Sequence, residues 1–301
     1  MNTYFEQIVD VSQIGKMAPV NINKIIELAG NERFAPAFND APQRLVLAID
    51  VQNDFIEGGS LEVPGSVGDV ERMARFIFKN IGGISKIMCS LDTHDTQQIF
   101  HPCWWANPAG DHPAPYTPIT YDDILNNRWR PVIGKPNYSV EYVKELEQRG
   151  GVLVIWPYHC LKGGPGATLE NEFFKMVQFY SIVRKSKISM IQKGTDAYSE
   201  MYGIIKPEYS RNNFINTPVL TAFEEYDEIY VFGEAASHCL LRSVEQIGDH
   251  FSNRPDITQR ITVLEDCCSP IKDYEDATKA AFARLKNTYG INFKKSTDIN
   301  F

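Results

Sequence analysis

Aspartate, histidine, lysine and cysteine recur in this chain at one kind of place, the residues just beyond a short apolar run. Asp50 follows the run 45–49, Asp92 and His94 follow 87–91, and His159 follows 152–156. Lys193 follows 188–192, and Cys239 ends the turn 233–239 behind the run 229–232. In an open parallel sheet, ligands gather at the carboxyl ends of the strands, so these six side chains would share one edge. Cys239 would stand at a strand-to-helix turn, where the helix N-terminus and a nearby Lys193 ammonium lower a thiol pKa. Asp50 would accept the thiol proton and deliver it to a leaving amine. On the residues alone, a small buried hydrophobe is an equally open reading of Cys239.

Asp92 and His94 are two apart and can project to one side of an extended segment. With His159 they supply a carboxylate and two imidazoles, a mixed oxygen and nitrogen set that suits zinc, iron or manganese. His101 and His112 are candidates for a fourth ligand, although His112 reads better as an ordinary loop residue. Cys160 and the vicinal pair Cys267–Cys268 read as packing residues, and Asp54 as a turn former. Trp104 and Trp105 sit in a Pro-rich stretch, where adjacent aromatics serve as anchors or subunit contacts.

The elements that would position these residues alternate along the chain. Apolar runs at 45–49, 87–91, 152–156, 188–192, 229–232 and 261–264 predict six strands. Helical spacing at 67–81, 140–146, 167–179, 240–251 and 273–285 places helices between and after them. This pattern predicts a three-layer α/β/α sandwich with an open parallel six-stranded sheet. Residues 1–43 form an N-terminal extension to a domain spanning 44–301. A Pro- and aromatic-rich insertion at about 102–134 has no period of its own, and its expected role is to wall the entrance to the site.

With 301 residues and 43% apolar content, the chain can bury a sizeable core. A net charge of −8 with scattered acids argues against nucleic acid as a partner, since such proteins cluster Lys and Arg. No apolar run is long enough to span a bilayer, and the first residues lack a signal-peptide pattern. Six cysteines without paired spacing fit a reducing cytosol rather than a disulfide scaffold.

Several ordered blocks carry a family resemblance. The segment Ile49-Asp-Val-Gln-Asn-Asp-Phe55, continuing to Leu61, resembles the opening signature of nicotinamidases within the isochorismatase-like hydrolases. Agreement continues through Leu91-Asp-Thr-His94, Trp156-Pro-Tyr-His-Cys-Leu161, Gln192-Lys-Gly194, Ala197-Tyr-Ser199, Phe232-Gly233 and His238-Cys239, across roughly residues 44–290.

The resemblance implies a triad of Asp50, Lys193 and Cys239, and metal ligation by Asp92, His94 and His159. His101 stands near the family's second, more variable histidine. It further implies Phe55 and Trp156 as a sandwich for a pyridine ring, and Tyr198 as another wall. A cis peptide is implied at Glu234–Ala235, aiming the Ala235 and Cys239 amides at an oxyanion. The implied activity is hydrolysis of nicotinamide or a similar small carboxamide to the acid and ammonia through a thioester. A divalent metal, zinc first and iron or manganese next, would bind the ring nitrogen.

Glu234 departs from the family's usual aliphatic residue, and the 103–151 stretch is longer than in compact members. Two alternatives stay open, an amidohydrolase of a carbamoyl or ureido compound and a non-catalytic metal-binding member of the fold. The expected partner is a small-molecule amide, with no membrane, and the expected state is a cytoplasmic homo-oligomer.

Overall fold

The computed structural model describes residues 1–301. Six strands form one sheet: β1 (Arg44–Ile49), β2 (Lys86–Asp92), β3 (Ser189–Lys193), β4 (Glu228–Gly233), β5 (Ile261–Leu264) and β6 (Asn292–Lys294). Their order is β6-β5-β4-β1-β2-β3, and every neighbouring pair is parallel. The central strand shows why its sequence is almost wholly apolar. Val46 and Ala48 face one buried cluster and Leu45, Leu47 and Ile49 the other, so both sides of the pleat need hydrocarbon.

Helices α1 (Ile22–Gly30), α2 (Ser66–Lys79) and α4 (Asn171–Arg184) cover the first face. Helices α5 (Thr217–Glu225), α6 (Cys239–His250) and α7 (Glu275–Tyr289) cover the second. This is the three-layer arrangement expected from the alternation. The remaining long helix, α3 (Pro136–Gln148), packs in a third cluster with Phe55, Trp104, Trp105 and Trp156.

Two strand assignments change. The run 152–156 is not in the main sheet. Only Leu153–Val154 is strand, paired antiparallel with Pro118–Ile119 of the insertion. The Ile155 amide donates to Thr117 and the Trp156 amide to Phe100, so its partners come from a segment without periodicity of its own. The sixth strand is instead Asn292–Lys294, a half-buried edge of three residues whose polar composition gives no strand signal. The helix expected at 167–179 starts later, at Asn171, where the Glu170 carboxylate caps the amides of Glu172 and Phe173.

The first 43 residues pack against the main layer. Phe5, Ile8, Val9, Ile14, Ile25 and Ala29 are buried in the same cluster as Val70, Phe173 and Phe232. If the extension shares one cooperative core with the sheet, Ile25→Ala should lower the stability of the whole chain by about 2–5 kcal/mol. Urea unfolding followed by far-UV and aromatic signals should show a single shifted transition. A separate early transition, with the main midpoint unmoved, would mean that the extension melts alone.

Candidate active site and metal centre

Parallel register brings the charged residues together. Asp92 on β2 lies directly beside Lys193 on β3, and Asp50 follows the end of β1 between β2 and β4. The Lys193 ammonium sits 2.9 Å from Asp50 Oδ2, 3.0 Å from Asp92 Oδ1 and 3.6 Å from Cys239 Sγ, and also donates to the Met201 carbonyl at 3.2 Å. Asp50 takes a left-handed backbone (φ 46°), which costs roughly 1–3 kcal/mol outside glycine. Ser90 holds it there: its hydroxyl accepts from the Asp50 amide at 3.0 Å and donates to Oδ1 at 2.6 Å. Cys239 is the first residue of α6, as its sequence position predicts.

The thiol behaves differently from the expectation. Burial pushes the Cys239 thiol well up, and Lys193 opposes this while Asp50 and Asp92 add to it. Two carboxylates flank one ammonium, so a resting thiolate would be a third anion around a single cation. Burial and this crowding of charge both favour the thiol over the thiolate. Burial also raises Asp50, against the pull of Lys193. Lys193 itself is held well above its ordinary value, because Asp50 and Asp92 overcome the cost of burying its charge.

Asp92, His94 and His159 offer ligand atoms that all lie within 4.8 Å of one another. His94 Nε2 is 3.0 Å and His159 Nε2 3.8 Å from Asp92 Oδ2. Each imidazole is oriented through its other nitrogen by a backbone carbonyl: His94 Nδ1 to Gly194 (3.0 Å), His159 Nδ1 to Pro157 (2.8 Å) and His101 Nδ1 to Thr96 (3.0 Å). A carbonyl can only accept, so Nδ1 carries a proton in each ring and Nε2 is the nitrogen turned toward the cluster, the orientation metal ligands need; burial lowers His159, whereas Asp92 outweighs burial and raises His94. His101 Nε2 is buried without a partner, and its ring centroid lies 6.1 Å from that of His94 and 6.0 Å from that of His159. It stands beside the close trio rather than within it. Burial lowers His101 to about 3, keeping it a neutral donor. His112 Nδ1 instead bonds the Trp105 carbonyl within the insertion, away from this cluster.

A narrow cleft of about 20 Å³ opens onto both sets, lined by Phe55, Leu61, Trp156, Tyr202, His238 and Ile271, among others. Phe55 and Trp156 are walls, as expected, and Ala235 and Cys239 lie at the base, beyond a cis Glu234–Ala235 bond. Tyr198 is not a wall. Its ring packs on Trp104 and Tyr138, and its hydroxyl accepts from the Lys135 amide. Tyr202 takes that place, and Trp156 Nε1 donates to its hydroxyl at 3.1 Å. The two tyrosines lie in one irregular segment after β3, where no period shows which ring turns inward.

Within the one chain, none of residues 102–134 lines the cleft. Tyr116 braces the outer side of Trp156, while Trp104 and Trp105 are buried anchors whose indoles donate to Ser139 Oγ and the Ile99 carbonyl. Asp54 is structural, accepting from the Ser60 and Cys160 amides.

Besides Tyr202 and His238, Gln52 and Glu200 carry no signal that singles them out in the sequence. The Gln52 side-chain amide brackets the Asp92 backbone, accepting from its N–H at 2.7 Å and donating to its carbonyl at 2.8 Å. Glu200 lines the cleft, with burial, aided by Asp92, raising its carboxyl to about 7. A larger surface cleft of about 490 Å³, lined by Arg149, Lys206 and Arg242 among others, contains none of the residues above.

No protein-family model matches the chain. In sequence it is similar to the nicotinamidase of Saccharomyces cerevisiae, 23% identical over 248 residues, covering 81% of this chain and 95% of that protein. It is also 28% identical over 207 residues to the nicotinamidase/pyrazinamidase of Mycobacterium tuberculosis, covering 67% of this chain and 77% of that one. The structure of the yeast nicotinamidase bound to the inhibitor nicotinaldehyde superposes with a TM-score of 0.59 at 20% identity, covering 84% of this chain and all of that one.

Gly194 tests the packing of the ligand cluster. At φ 69°, a Cβ there would lie 2.5 Å from His94 Cε1 and 2.6 Å from Asp92 Oδ1. Gly194→Ala should therefore displace both groups and lower metal affinity by about 10–100-fold. Equilibrium dialysis against zinc, with circular dichroism as a control for folding, measures this. Unchanged affinity would mean that the cluster tolerates the displacement.

Proposed function

Because the chain belongs among the nicotinamidase relatives and has the isochorismatase-like fold, we propose that it is a cysteine amidohydrolase acting on nicotinamide. The products are the acid and ammonia, and the reaction passes through a thioester on Cys239. The observation that carries this reading is one buried Lys193 ammonium in reach of a carboxylate and a thiol at the base of an aromatic-walled cleft.

The resting thiol sets the order of events. As Sγ attacks the amide carbon, its proton passes to Asp50, so no buried thiolate has to wait unpaired for substrate. Lys193 stays protonated and holds Asp50 within reach of Sγ. The amides of Ala235 and Cys239 receive the charge developing on the carbonyl oxygen. Asp50 then protonates the departing nitrogen as the C–N bond breaks, and ammonia leaves. Water attacks the thioester, Asp50 takes its proton, and the acid departs as the thiol reforms. Phe55, Trp156 and Tyr202 flank a flat ring and exclude water from it.

Asp92, His94 and His159, with His101 beside them, would hold a divalent metal. Zinc fits this hard and borderline donor set best, and it would supply a Lewis-acidic anchor for the ring nitrogen. The six free cysteines suit a reducing cytoplasm.

Ammonia release from nicotinamide, set beside a panel of ureido and carbamoyl compounds, tests the reading. Wild-type protein should prefer nicotinamide, and Cys239→Ala should lose at least about 10⁴-fold in turnover. Preference for the ureido compounds would redirect the assignment of substrate, and an active Cys239→Ala would remove the thioester. His94→Ala should shed metal by elemental analysis and raise KM, while Cys239 remains open to a small alkylating reagent. Full metal content in His94→Ala would remove that residue from the ligand set.

A further inference from the structure

Behind the turn that carries Ala235 and Cys239 lies a group the reaction does not touch. Glu234 is wholly buried, and so is Asp69 on α2. Their side chains are within hydrogen-bonding reach of each other. Glu234 Oε1 and Asp69 Oδ2 are both buried without a donor in hydrogen-bonding geometry, and the Ser269 hydroxyl also stands beside Asp69. Such atoms are expensive to bury and rare in folded chains. A single proton between them satisfies both at once.

The other oxygens of the pair are already engaged. Glu234 Oε2 accepts from the Ser269 amide at 3.5 Å, and Asp69 Oδ1 accepts from Arg72 at 2.6 Å. The Ser269 carbonyl in turn accepts from the Ala236 amide at 2.8 Å, and the Gly233 amide donates to the Cys267 carbonyl. Arg72 donates to the Asp266 carbonyl, and the Ile271 amide to Ser237 Oγ at 3.0 Å. Glu234 and Asp69 together thus join α2, the turn 233–239 and the loop 266–271.

We propose that Glu234 and Asp69 share one proton, and that this acid pair is a positioning device that clamps the Ala235–Cys239 turn against the 266–271 loop. The pair keeps the two oxyanion-binding amides in place without touching substrate, and this part rests on the amidohydrolase reading above. The proton resides on Glu234, because burial and the neighbouring Asp69 charge both disfavour its ionisation. The charged and titratable groups facing the pair are Arg72 from α2 and Asp266, Cys267 and Cys268 from beyond β5. Of these, only half-exposed Arg72 is a cation, and it is committed to Asp69. Loss of the proton would set two carboxylates side by side with one cation between them, and the turn would loosen.

Glu234→Gln tests this directly, since its amide N–H replaces the shared proton and its carbonyl still accepts from Ser269. Infrared spectra of wild-type protein at neutral pH should contain a protonated-carboxyl C=O band that is absent from Glu234→Gln. Identical spectra would overturn the shared proton. The Gln variant should keep kcat within about two-fold and hold it to higher pH than wild type. Glu234→Leu leaves Asp69 Oδ2 unpaired and should lose about ten- to a hundred-fold in kcat with little change in KM, on the scale of a displaced catalytic group. Wild-type kcat in a folded Glu234→Leu, or a large loss in Glu234→Gln, would overturn the positioning role. The infrared result needs no turnover, so it stands apart from a failure of the amidohydrolase reading, which Cys239→Ala reports.

Discussion

A single buried ammonium organises this protein. Lys193 has no exposed side-chain surface, and burying its charge is tolerable only because Asp50 and Asp92 lie at 2.9 and 3.0 Å on either side. Taking away either carboxylate would leave a charge without compensation, a loss on the order of 3–5 kcal/mol in comparable buried pairs. The same three groups divide the chemistry. Asp50 turns toward Cys239, whereas Asp92 gives Oδ1 to Lys193 and keeps Oδ2 for the histidines. The proposed nucleophile and the candidate metal ligands are therefore one electrostatic unit, and neither set could move without disturbing the other.

The sheet exists around that unit for a geometric reason. Parallel register fixes Asp92 beside Lys193, and the Gln52 amide locks the turn after β1 onto the end of β2. Packing on the two faces makes the strand ends rigid, while the chemistry sits on the loops beyond them. The third apolar cluster then encloses this edge. It draws Phe55 and Trp156 together with the insertion's buried tryptophans, and Tyr116 of the insertion packs on Trp156.

The same crowding of charge favours the neutral thiol. In an exposed site, a helix N-terminus and an ammonium would favour the thiolate. Here both are outweighed by burial and by two nearby carboxylates. In the proposed reaction, activation of sulfur is deferred to the moment of attack, with Asp50 as the acceptor. The acid pair behind the cis turn has the same character, a proton retained because the surroundings cannot hold another negative charge.

The chain by itself determined the layer order, the strand ends and the identity of the groups gathered there. Apolar runs and helical spacing are local, and Asp50, Asp92, His94, His159, Lys193 and Cys239 each stand at or shortly after the end of an apolar run. Tertiary structure decided what depends on partners distant in sequence. Residues 152–156 are apolar enough for the main sheet, yet their hydrogen bonds go to the insertion, and Asn292–Lys294 takes the sheet's outer edge. Tyr198 and Tyr202 are indistinguishable in a segment without period, and only packing against Trp104 or Trp156 turned one outward and the other into the cleft. Protonation was equally hidden. Whether Cys239 holds its proton, and whether Glu234 shares one with Asp69, is set by burial and by charges arriving from other elements, which no local pattern of residues records.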